Sequence, residues 1–115
     1  MGSKGKGGRG HFQPGATGMM KQVQQLQERM LQAQQELAEE TVSVSVGGGA
    51  VAVVMTGQQE VRTVTVDPAA VNPAEVDMLQ DLIVAAMNEA LAKSRELAEK
   101  KMAPLSGALS IPGLI

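Results

Sequence analysis

Cysteine, tryptophan and tyrosine are absent from the chain, and Phe12 is its single aromatic side chain. Without cysteine there is no disulfide, no thiolate nucleophile and no Cys-type zinc site, a composition that suits a reducing compartment. The one histidine, His11, lies in the Gly-rich start and has no cysteine or clustered acid beside it. No nucleophile–base set can be assembled, so the chain is not expected to be an enzyme or to carry a cofactor. The scarcity of aromatics also bears on nucleic acids. Single-strand binders stack bases on aromatic rings, and here one ring is on offer. Long apolar runs are missing too. No segment approaches the ~18 residues needed to span a bilayer, and the basic start is not followed by the apolar stretch of a secretory signal. A cytoplasmic protein with no membrane partner and no small-molecule substrate is the expectation.

Charge is present but segregated. The net value is −2. Residues 1–21 carry Lys4, Lys6, Arg9 and Lys21 with no acid, whereas residues 22–60 set Arg29 against five glutamates. Between 61 and 92, Arg62 stands alone against Asp67, Glu75, Asp77, Asp81 and Glu89. Residues 93–103 turn basic again through Lys93, Arg95, Lys100 and Lys101 against Glu96 and Glu99. The chain is basic at both ends and acidic in the middle.

Periodicity supplies the elements. Residues 1–17 have none and read as a flexible basic Gly-rich tail. From Met19 a heptad-like seam (Val23, Leu26, Met30, Ala33, Leu37) predicts a helix reaching about Glu40. TVSVSV over 41–46 alternates strictly, AVAVVMT over 50–56 is apolar on both faces, and 61–66 makes a third strand. The intervening Gly47-Gly48-Gly49 and Gly57–Gln59 are short enough to make the three strands an antiparallel meander. The glycine triplet joins two strands and lacks the Lys-Ser/Thr of a phosphate-binding loop, so it reads as a turn. Asn72 then caps a long helix with Pro73 at its first position, and its apolar stripe runs unbroken until Pro104. Asp77 and Asp81 in its first turns complement the helix dipole rather than hold a metal. The fold class is α+β: long helix, three-stranded antiparallel meander, long helix, forming one domain over 18–103 with a flexible tail over 104–115.

Two consequences follow from that order. A six-residue strand spans about 20 Å, far less than the second helix, so apolar surface overhangs the sheet and a homodimer is expected to cover it. If the helices pack antiparallel, the two basic segments are expected to share one tip remote from the sheet.

MMKQVQQLQERMLQAQQELAEET, the strand exit VTVDP, the helix MLQDLIVAAMNEALAKSRELAEKKM and the closing SGALSIPGLI together resemble the YbaB/EbfC family of bacterial nucleoid-associated proteins. The resemblance covers residue 19 to the end and implies a tweezer-like homodimer with a β core and projecting helices. It implies binding and compaction of double-stranded DNA with little sequence preference, and a place in the nucleoid. Lys21 and Arg29 match basic positions of the family's first helix, and Lys93 and Lys101 match those of the second. Arg95 and Lys100 join them on charge alone. Lys4, Lys6 and Arg9 belong to a tail longer than in the relatives, which would either add non-specific affinity or be an addition such as an expression scar. The rival reading is a protein-interaction scaffold linked to DNA repair or recombination, whose acidic body and apolar tail LSGALSIPGLI dock on a partner.

Overall fold

The computed structural model describes residues 14–109, with side chains from 18 to 105, so most of both expected tails lies outside the described residues. Helix α1 covers Pro14–Glu39, strands β1, β2 and β3 cover Thr41–Val46, Val51–Thr56 and Val61–Val66, and helix α2 covers Val76–Leu109. The sheet order is β1-β2-β3 with both pairings antiparallel. This is the α+β arrangement that the periodicities predict.

Alternation puts the valines of β1 on one face, and the register extends that face into rows. Val46, Val51 and Val66 form one row, and Val44, Val53 and Val64 another. A third joins Val42, Met55 and Val61, beside an irregularity at Val54/Met55. Helix α2 lies across β1 and β2, where its small Ala86 and Ala90 are fully buried among Val44, Val51, Val53 and Met55. Alanine at these contacts lets the helix sit close to the sheet, as dense packing requires. Ser94, also buried, donates its hydroxyl to the Thr56 carbonyl at 2.7 Å. That bond removes the desolvation penalty of an unpaired hydroxyl and marks where α2 crosses the sheet's far edge.

Gly47, in the turn at the opposite end of the sheet, lies against the Leu82 side chain. Helix α2 therefore runs from the β1–β2 turn to the Thr56 edge and continues beyond it for residues 95–109, about 22 Å at 1.5 Å per residue. Helix α1 enters at that same edge, joined to β1 by Glu40 alone. The two helices thus run antiparallel away from the sheet, in a body of 93 × 27 × 16 Å.

The turns explain themselves locally. Gly47, Gly48 and Gly49 take φ values of 64°, 66° and 98°, a succession that side chains with a Cβ resist. The cap on α2 is as the sequence predicts: the Asn72 side chain accepts from the Ala74 amide at 3.0 Å, and Pro73–Glu75 forms a 3-10 turn leading into Val76.

Three boundaries differ from expectation. Helix α1 starts at Pro14, whose fixed φ suits a first helical position, rather than near residue 18. Strand β2 starts at Val51 because the Ala50 amide is turned back to the Gly47 carbonyl. Helix α2 passes through Pro104 to Leu109. Proline withdraws its own donor and crowds the carbonyl four residues before it; Pro104 is exposed, so water can reach the Lys100 carbonyl that loses its partner.

Gly57 is buried where α1 meets the sheet, and a Cβ there would lie 3.1 Å from the Leu37 carbonyl oxygen and 3.2 Å from its Cβ. Replacing Gly57 with Ala is expected to destabilise the fold by about 1–3 kcal/mol, as overpacking does. Urea unfolding followed by circular dichroism measures it.

Candidate nucleic-acid interface

Each candidate base among the described residues is presented by a helix. On α1, Lys21 and Arg29 are exposed. The buried seam of this helix is restricted to its last turns: Ala33 and Leu37 are almost fully buried, Leu26 and Met30 half-buried, and Val23 is 52% exposed. The start of α1 therefore stands clear of the body. On α2, Lys93, Arg95 and Lys100 are exposed. Lys93 and Lys100, seven residues apart, fall on one flank, whereas Arg95 lies about 160° around the helix from Lys93. Glu89 and Glu96 are one turn from Lys93, and Glu99 is one turn from Arg95, so this stretch is mixed in charge rather than uniformly basic. Lys4, Lys6 and Arg9 lie outside the described residues.

Lys101 differs from the others. Its ammonium bonds Glu36 Oε1 at 3.0 Å and also pairs with Glu40, joining α2 to the last turns of α1. Two further long side chains reach the same turns. Arg62 Nη2 donates to the Ala38 carbonyl at 3.0 Å, and Gln58 Nε2 donates to the Gln34 carbonyl at 2.8 Å. Sequence reasoning missed both. The signal for Arg62 was its isolation as the single base between Met30 and Ala92, while nothing marked Gln58.

These contacts correct the expectation of a converged basic tip. Lys101 is level with Glu36 and Glu40, at the sheet end of α1. Lys21 is fifteen residues before Glu36, about 22 Å farther out, and Lys93 is eight residues before Lys101, about 12 Å back toward the sheet. Among the described residues, Lys21 does not meet the basic stretch of α2. The described exposed bases are instead spaced like rungs along some 35 Å of the two helices, close to one turn of duplex DNA, with Arg95 on the side opposite Lys93.

Among the described residues no group of three or more His, Cys, Asp or Glu side chains is placed to hold a metal, and no helix is long and apolar enough to cross a membrane.

Against known proteins, residues 13–109 match the model of the YbaB/EbfC DNA-binding family. The chain belongs to that family. It is 54% identical over 95 residues to a nucleoid-associated protein of Syntrophobacter fumaroxidans, covering 83% of this chain and 86% of that one. It is 46% identical over 112 residues to a nucleoid-associated protein of Ruminiclostridium cellulolyticum, covering 92% and 97%. Among solved structures, the crystal structure of the uncharacterized protein HP0035 from Helicobacter pylori aligns with TM-score 0.60 over 86% of this chain and 98% of that one. At 16% identity this likeness speaks for the fold alone.

The hydrogen bond from Lys101 to Glu40, then that to Glu36, raises the lysine's pKa above its ordinary value. A raised lysine pKa stabilises the fold fully below the unfolded value and loses that contribution as pH climbs through the folded one. The melting-temperature difference between the unaltered chain and Lys101→Met is therefore expected to stay constant from neutrality to about pH 9 and to shrink only above the ordinary lysine range. Thermal melts across that alkaline window check the sign.

Proposed function

We propose that the protein binds duplex DNA as a homodimer, with little sequence preference, and acts as a nucleoid-associated protein that helps to organise the bacterial chromosome. The observation that carries this reading is the ladder of Lys21, Arg29, Lys93, Arg95 and Lys100, spread over about one duplex turn in a member of a DNA-binding family. Such groups neutralise phosphates and release counterions, which gives affinity without reading bases. The near-absence of aromatic side chains favours duplex backbone over stacked single strands. Lys4, Lys6 and Arg9 would add phosphate contacts from the N-terminal segment.

The uncovered third column of the sheet supports the homodimer. In the row Val44, Val53 and Val64, exposure is 5%, 0% and 43%, because α2 lies over β1 and β2 and leaves β3 open. Val61 on β3 is equally exposed, and Val84 on α2 adds apolar surface. A second copy laid over this surface would complete the core and present two ladders to DNA.

Replacing Lys93, Arg95 and Lys100 with Glu is expected to weaken mobility shifts of linear duplex at least tenfold while leaving the oligomer intact. Unchanged shifts at low salt would overturn the phosphate-contact reading, and no shift by the unaltered protein would favour the scaffold reading. In sedimentation equilibrium, Val64→Asp is expected to convert a particle of two chains into single chains. A monomeric unaltered protein would refute the dimer.

A further inference from the structure

Helix α1 packs on the body through its second half, where Ala33 and Leu37 are almost fully buried and Leu26 and Met30 half-buried. There three side chains, from the β2–β3 turn, β3 and α2, also hold it: Gln58 on the Gln34 carbonyl, Arg62 on the Ala38 carbonyl, and Lys101 on the carboxylates of Glu36 and Glu40. Toward its start the seam opens to solvent, with Val23 and Met19 exposed, so nothing described farther out holds its direction. The link to β1 is the single residue Glu40. Direction is therefore decided by this apolar seat together with the clamp of polar contacts around it. The lever is long: Lys21 lies about 22 Å from Glu36, so a tilt of about 10° there moves Lys21 by roughly 4 Å, more than the length of a hydrogen bond.

We infer that Lys101, with Arg62 and Gln58, is a positioning group that aims the α1 arm and its bases at DNA, rather than a phosphate contact itself. Its charge is already committed to Glu36 on α1 and Glu40 in the link that follows, two carboxylates four residues apart that would repel each other without it. The inference rests on the DNA-binding reading for its consequence but not for its geometry, and the two can fail separately.

The absence of cysteine makes the test clean. Spin labels at Gln22→Cys on α1 and Asn88→Cys on α2, both exposed sites, report the angle between the helices, with labelled protein diluted in unlabelled protein. The otherwise unaltered chain is expected to give one narrow distance distribution. Lys101→Met and, separately, the surface variant Arg62→Ala are expected to broaden it at least twofold, and Lys101→Arg to keep it narrow. In DNA titrations Lys101→Met is expected to lose three- to tenfold in affinity at fixed salt. Its slope of log affinity against log salt should not change, because no phosphate contact has been removed. A distribution that stays narrow in both Lys101→Met and Arg62→Ala overturns the inference. So does a slope reduced by about one, the signature of a lost phosphate contact. The label measurement is made without DNA, so its result stands whether or not the duplex reading does.

Discussion

The seat of α2 on the sheet is the contact from which the rest of the molecule takes its direction. Ala86 and Ala90 bring the helix down onto Val44, Val53 and Met55, and Ser94 ties it to the Thr56 carbonyl at the sheet's edge. A bulky side chain at either alanine would lift the helix off the sheet, since dense interiors have no room to absorb it. With the crossing point fixed, everything beyond Ser94 must overhang. Because α1 reaches β1 at that same edge, the overhang of α2 is where α1 finds its apolar cover. Six-residue strands and helices of 26 and 34 residues thus give a small core with a long two-helix projection.

The projection makes sense of a chain that is acidic overall yet belongs to a DNA-binding family. Most of its acids gather on the body, on α2 before Lys93 and around the base of α1, while exposed bases are set along the helices with Glu28, Glu96 and Glu99 between them. Phosphate attraction depends on where charge stands within a Debye length, about 8 Å at physiological ionic strength, and much less on the total. A rod with spaced bases can follow a duplex backbone without a groove-reading element, which fits a protein of low sequence preference.

Much of the fold was legible in the sequence because its signals are local. The alternation in TVSVSV, the apolar run of β2 and the Asn72-Pro73 start of α2 each depend on neighbouring residues, and each element stands within a residue or so of its expected place. Pro104 misled because proline's effect depends on whether the freed carbonyl can be solvated, a matter of exposure rather than sequence. The site was less legible. Antiparallel helices were foreseeable, but which residue of one lies level with which of the other was not. Lys101 finds Glu36 across 65 residues, and that distant pairing separated the two basic segments. Arg62 could be counted as a charge, yet its carbonyl partner, Ala38, becomes visible only once α1 is seated against the sheet.

The account stands on phosphate contact along the projecting helices, and the most direct measurement is duplex affinity across a salt series, by fluorescence anisotropy, on two duplexes of equal length and unrelated sequence. The account predicts straight lines of log affinity against log salt with a common slope steeper than about −3, since each neutralised phosphate contributes about 0.9. A slope near zero, or binding to one sequence and not the other, would contradict it.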